Sequence, residues 1–466
     1  MSSRTSAFKY VEGSKKVFLQ TGTRFQREII GAVATVKQAA AMANVSLGLL
    51  DKGIGEAIER AAKETASGLY DDQVVVDVFQ TGSGTGINMN LNEVIAARSS
   101  ELAGVKVHPN DHINMGQSSN DVVPTAIRIA AVGKAEQALI PALNAIINSL
   151  DRLAESGNRV YKAGRTHLRD ALPVTMGQEF KAYADAFRIN KESVASTLKM
   201  VKELPIGGTA VGTGINTDPR FGNLVIKSIN LIMKTDFRES SNKSRAMKLL
   251  TDILSLSDTM TNAAINLLRL CQDLRLMFSG PITGLGEIDI PTQEEVAGSS
   301  IMPGKTNPVT VEASMLAMAQ VLGLGRSIEI ASTFGEFELS MGVPLVGYDV
   351  VAQEELLSEA LYKIAEVVLS NIVFNKERAM KYAEGSPSLI TVISPLIGYD
   401  RASAIGKELV KGSSIREALK SLGYTYKEID GILDMKKLVE GGLIKPSPSE
   451  ERPRPSGSRQ PAHRHP

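Results

Sequence analysis

The sequence predicts a mainly α protein built around a bundle of long helices. Three observations lead there: apolar residues recur at helical spacing over unusually long stretches, strand signal is slight, and the Gly/Ser/Thr/Asn-rich breaks are short. Six stretches carry the pattern, residues 27–50, 122–154, 179–204, 246–277, 308–332 and 352–372. Globular helices average about 11–12 residues, so stretches of this length argue for helices packed side by side. A wide apolar stripe can bury a second face against another chain, which predicts an oligomer. Residues 74–79 are the best strand candidate and 105–107 a weaker one. Residues 373–445 read as a separate small helical unit. From Pro446 the composition turns to Pro, Ser, Arg and Glu, which predicts a disordered tail over 446–466 whose His463 and His465 carry no chemistry.

A chain of 466 residues can bury a large core and should divide into more than one domain. With 43% hydrophobic and 22% charged residues it has an ordinary globular composition. A net charge of +1, no Trp and 5% aromatics provide neither a basic field nor stacking platforms, so nucleic acid is not an expected partner. The single cysteine, Cys271, excludes an internal disulfide and suits a reducing compartment. Its apolar surroundings read as core. No apolar run reaches the ~18 residues of a membrane span and the start lacks a signal-peptide core, so the expectation is cytoplasmic with no membrane partner.

The most informative stretch is residues 298–312, Gly-Ser-Ser-Ile-Met-Pro-Gly-Lys-Thr-Asn-Pro-Val-Thr-Val-Glu. Glycines at 298 and 304 flank two serines. Lys305 then precedes a helix start, with Asn307 as the expected N-cap and Pro308 as the first helical residue. A lysine beside the positive end of a helix dipole suits a small anion, a carboxylate or phosphate. Hydroxyls on a hinged loop beside it could act on what is held there.

Thr81-Gly-Ser-Gly-Thr-Gly86 invites a dinucleotide reading, but the third glycine of the fingerprint would fall on Ile87 and no Walker lysine is present. Ser83 and Thr85 instead suit an anion. In Gly116-Gln-Ser-Ser-Asn-Asp121, Ser118 and Asp121 fit a capping box. One cap requires one polar residue, and the surplus of Ser118, Ser119 and Asn120 suggests donors aimed at a ligand as well. His108-Pro-Asn-Asp-His112 has metal-like spacing, yet Pro109 and the Asn-Asp pair make it a turn. His108, Asn110 and Asp111 read better as a second polar anchor. His167 follows Thr166 before another expected helix start; its imidazole suits proton transfer near neutral pH, with Glu312 the candidate buried carboxylate to orient it. Several anion-holding elements without a metal motif favour a substrate with more than one carboxylate.

At these residues the chain resembles the fumarase/aspartase superfamily, most closely the class II, iron-independent fumarases. The resemblance spans residues 21–443. It rests on Gly-Ser-Ser-Ile-Met-Pro-Gly-Lys-Thr-Asn-Pro, Thr-Gly-Ser-Gly-Thr with Asn-Met-Asn, His-Pro-Asn-Asp, Gln-Ser-Ser-Asn-Asp, Gly-Gly-Thr-Ala-Val-Gly-Thr-Gly and Ile-Gly-Tyr-Asp, all in the family's order. His167, Gly304 and Ser119 stand where aspartases typically carry Gln, Ala and Thr. They favour hydration of fumarate to L-malate over the alternative, aspartate ammonia-lyase or another C–N lyase. A non-catalytic scaffold would have no need to keep Ser299, Lys305, His167 and Glu312 together.

The resemblance implies a three-domain fumarase/aspartase-like fold: residues 1–115, a central long-helix bundle over 116–372, and a small C-terminal domain over 373–445. It implies a homotetramer with active sites shared between subunits, a dicarboxylate substrate, and neither metal nor organic cofactor. Ser299 would be the base, Lys305 and Asn307 would stabilise the aci-carboxylate intermediate, and His167 with Glu312 would protonate the departing hydroxyl through a water. Ser83, Thr85, Ser118, Ser119, Asn120 and Thr166 would hold carboxylates or that water. His108, Asn110 and Asp111 would form the secondary anion site, where Lys106 stands near the position of a customary arginine.

Overall fold

The computed structural model describes residues 8–296 and 298–442. The expected tail over 446–466 lies outside the described residues. In chain order the long elements are α1 (Lys9–Val17), α2 (Arg27–Ser46), α3 (Lys52–Ala66), α4 (Thr85–Ala103), α5 (Ser119–Lys134) and α6 (Ile140–Ser156). The hairpin β1 (Tyr161–Thr166) and β2 (Arg169–Thr175) follows, then α7 (Met176–Val201), β3 (Glu203–Leu204), α8 (Phe221–Met233), β4 (Arg238–Glu239), α9 (Lys243–Lys248) and α10 (Thr251–Phe278). After β5 (Ile288–Asp289) come α11 (Val309–Ala331), α12 (Val343–Lys363) and β6 (Val373–Phe374). Short helices close the chain: α13 (Lys376–Gly385), α14 (Ile390–Ile397), α15 (Tyr399–Val410), α16 (Ile415–Ser421), α17 (Tyr426–Ile432) and α18 (Met435–Glu440).

The described residues fall into two compact units, one drawn from 8–151, 182–284 and 290–372, the other from 152–181, 285–289 and 373–442. In the first, α11 packs on α10 and α12, α12 on α5, and α2 on α3, α5 and α8. The sequence pattern explains this core. On α10, Ile253, Leu256, Met260, Ala263, Ala264, Leu267, Leu270, Cys271 and Leu274 recur at helical spacing and all are buried. Each fully buried large aliphatic side chain contributes about 1.5–3 kcal/mol. A buried ion pair also joins the bundle, Arg128 donating from Nε and Nη2 to Asp252 at 2.7 and 2.9 Å. In the second unit, Ala383, Leu389, Ile393, Leu419 and Ile429 centre a separate small core.

Several expectations are corrected. The stretch 122–154 is two helices with a π-helical turn, Ala135–Leu139, between them. The helix expected over 246–277 begins at Thr251, after the separate α9, and that expected over 352–372 begins at Val343. Neither 74–79 nor 105–107 is a strand, because side chains take the N–H groups a ladder would need. Val75 donates to Asn90 Oδ1 at 2.9 Å, Phe79 to Asp77 Oδ1 at 3.0 Å and Val107 to Ser100 Oγ at 2.9 Å. His167 precedes no helix; it sits at the tip of the antiparallel β1–β2 hairpin.

Candidate active site

The first unit brings the starts of two long helices together. Thr85 opens α4 and Ser118 is the N-cap of α5, whose capping box with Asp121 forms as the spacing predicts. Ser83 Oγ lies 2.9 Å from Thr85 Oγ1, which lies 2.7 Å from Ser119 Oγ. Three hydroxyls thus run from one helix start to the next, beside two positive dipole ends. Such a place attracts a carboxylate. Asn120 spends its side-chain N–H on Ala210 O at 2.9 Å.

The sequence reading left out what fixes this junction. Asp121 is fully buried; one oxygen accepts Ser118 N at 2.9 Å and the other accepts Gly207 N at 3.0 Å and Thr209 N at 2.9 Å. Its carboxylate therefore ties the start of α5 to the glycine-rich 207–214 loop. Burial raises its pKa to about 6, against the lowering effect of those three N–H bonds and of Lys37. Lys37, also fully buried, donates to Asn114 Oδ1 at 2.8 Å and Gln117 Oε1 at 3.0 Å. Burial pushes its pKa down to about 7, with Asp121 opposing. A polar residue inside an apolar stripe was the available signal for Lys37. For Asp121 the capping box accounted for one oxygen and hid the work of the other.

The 298–312 loop folds back on itself. A Cβ on Gly298 would stand 2.4 Å from Lys305 O and 2.6 Å from Asn307 N, so only glycine fits. Asn307 is not the N-cap; its side-chain N–H donates to Gly298 O, and Pro308 (φ −80°, ψ 62°) takes the cap position before Val309. Ser299 Oγ accepts Met302 N at 3.1 Å and Ile301 N at 3.3 Å. Two N–H donors on one hydroxyl oxygen stabilise its alkoxide form. Lys305 is exposed close by in sequence, and Glu312 is exposed on the first turn of α11, not buried as expected.

The second unit holds Thr166 at the end of β1 and His167 at the hairpin tip, both exposed. Ser299, Lys305 and Glu312 belong to the first unit and His167 to the second. The turn at Pro109–Ile113 is π-helical: His108 Nδ1 accepts Asp111 N at 3.1 Å, and His112 Nδ1 accepts His108 N at 2.8 Å. A cavity of about 870 Å³ opens beside that turn, with Lys9, Tyr10, Glu93, Lys106, His108 and Asn110 on its wall. Among the described residues no group of three or more His, Cys, Asp or Glu is arranged to hold a metal ion, and no helix is long and apolar enough to cross a membrane.

The class of protein is given by family: the chain matches the family described as "Lyase" over residues 11–323. Residues 389–440 match the family "Fumarase C C-terminus". Fumarate hydratase class II of Saccharolobus solfataricus is 58% identical over 435 residues, 93% of this chain and 99% of that protein. Its counterpart in Corynebacterium glutamicum is 42% identical over 427 residues, 91% of this chain and 88% of that one. The crystal structure of class II fumarase from Schistosoma mansoni superposes with a TM-score of 0.88 at 32% identity, covering 92% of this chain and 95% of that one. Fumarate lyase:delta crystallin from Brucella melitensis gives 0.84 at 34% identity, covering 91% and 95%. The chain belongs to the class II fumarase family of the fumarase/aspartase superfamily.

Proposed function

We propose that this chain is a fumarate hydratase, adding water reversibly and in the anti sense to fumarate to give L-malate. The observation that carries this reading is the junction of α4 and α5, where Thr85 Oγ1 lies 2.9 Å from Ser83 Oγ and 2.7 Å from Ser119 Oγ at two helix starts. A short dianion suits the hydroxyls and the two helix dipoles there. In the malate-to-fumarate direction, Ser299 takes the proton from the carbon beside one carboxylate. Electron density moves onto that carboxylate as an aci-carboxylate, which Lys305 and Asn307 stabilise. The hydroxyl leaves as water, protonated by way of a water that His167 and Glu312 polarise. A free serine is a poor base; the N–H groups of Ile301 and Met302, with the nearby Lys305 charge, favour its ionised form.

Ser118, Asn120 and Thr166 complete the substrate contacts, and His108, Asn110 and Asp111 form a secondary anion site. The domains proposed are residues 1–115, 116–372 and 373–445. The chain works as a cytoplasmic homotetramer whose sites combine residues of several subunits. Apolar side chains on the long helices support an oligomer: Ile189 on α7 is 63% exposed, Ile265 on α10 50% and Leu316 on α11 75%. The test follows fumarate's ultraviolet absorbance with the purified chain. Malate should yield fumarate and aspartate should not; faster release from aspartate would assign the chain to the ammonia-lyases instead. Light scattering should give four subunits.

A further inference from the structure

The hairpin that carries His167 is anchored from beneath by a closed ionic network. Glu287 is fully buried, and its two oxygens accept Arg165 Nη2 at 2.8 Å and Nη1 at 3.1 Å. Lys162 Nζ stands 3.1 Å from Glu287 Oε2 and 2.6 Å from Glu179 Oε2. Two cations of β1 thus face two carboxylates, and the Arg165 guanidinium also lies over the Tyr382 ring, 5.8 Å from its centroid. The bidentate fork fixes Arg165 in orientation as well as distance. Arg165 is two residues from His167.

The tip needs such an anchor. Thr166 pairs with Arg169, so His167 and Leu168 form a two-residue turn with φ of 53° and 57°. Leu168 is 72% exposed, so no burial offsets its left-handed backbone. A strained tip persists only where its flanks over-determine it. On β1 the register shifts between Ala163 and Arg165, and a Cβ on Gly164 would meet Leu172 O at 2.5 Å. Bulges of this kind re-aim the side chain beside them, here Arg165.

We propose that Glu287 is a positioning residue for His167, holding the Arg165 fork so that the hairpin tip presents the imidazole in one orientation. This rests on the assignment of His167 to proton transfer made above. The test is a double-mutant cycle in fumarate hydration with Glu287→Gln, His167→Asn and the pair. Glu287→Gln keeps size and one acceptor; it should lower kcat about 10- to 100-fold, the cost of a misplaced catalytic group, with KM within about twofold. In the His167→Asn background it should change kcat by less than about twofold, since the group it positions is gone. An equal loss in both backgrounds would make Glu287 merely structural and overturn the proposal, as would unchanged kcat in Glu287→Gln. Wild-type turnover in His167→Asn would instead remove the assignment of His167 itself, and the proposal with it. Should Glu287→Gln fail to fold by circular dichroism, Arg165→Lys, which breaks the fork and keeps the charge balance, runs the same cycle with the same expected non-additivity.

Discussion

Removing the Asp121 carboxylate tests whether the junction of α4 and α5 is built as described. In Asp121→Ala three backbone N–H groups, those of Ser118, Gly207 and Thr209, lose their acceptor. Each buried orphan costs about 1–3 kcal/mol, a gross loss of roughly 3–9 kcal/mol for the three. Relief of the buried charge, whose pKa burial raises to about 6, offsets part of that loss. The net destabilisation expected is on the order of 3 kcal/mol. For a chain of 466 residues that corresponds to a fall in Tm of about 3 °C. Function should suffer more than stability, because Ser118 N is released and Ser118, Ser119 and Asn120 lose their fixed register at the helix start. KM for fumarate should rise about tenfold, the worth of one or two carboxylate hydrogen bonds. Differential scanning fluorimetry and initial rates read both quantities. Unchanged Tm together with unchanged KM would refute the claim that this carboxylate holds the start of α5 in place for the proposed site.

Three further outcomes are expected. Ser299→Ala should lower turnover by about 10³-fold or more, with the subunit number by light scattering unchanged. Lys37→Met should alter the pH dependence of stability. Burial depresses Lys37 from 10.5 to about 7, so between those values the unfolded chain binds a proton that the folded chain does not. Stability from this group is therefore fully present above the unfolded value and lost as pH falls through the folded one; relative to the variant, the native chain should gain about 1 kcal/mol per pH unit between about pH 7.5 and 9.5 by denaturant titration. Cys271 is buried and its pKa is pushed up to about 12 by burial, so a maleimide should label it only after unfolding.

Local patterns were legible where short-range rules govern. The 3.6-residue periodicity fixed the existence of the long helices, and the Ser118-x-x-Asp121 spacing fixed a capping box, because both depend on neighbours within one or two turns. Helix ends were less legible: Asn307 gave its amide to Gly298 O nine residues away, so the cap fell to Pro308. The strand expected at 74–79 failed for a similar reason, with Asn90 taking the N–H of Val75. The β1–β2 hairpin escaped notice because its turn is His167-Leu168, two residues that seldom take positive φ, and carries neither Gly nor Asn.

By itself the sequence determined the fold class, the family and the inventory of hydroxyl, lysine and histidine side chains from which the site is drawn, because motif order and hydrophobic period are properties of the chain alone. Only the tertiary structure decided that Thr85 and Ser119, 34 residues apart, touch, that Asp121 reaches 86 residues on to Gly207, and that Arg165 meets Glu287 across 122 residues. Contacts across such separations depend on how helices and strands pack, and a buried charge declares its partner only once burial has made solitude costly.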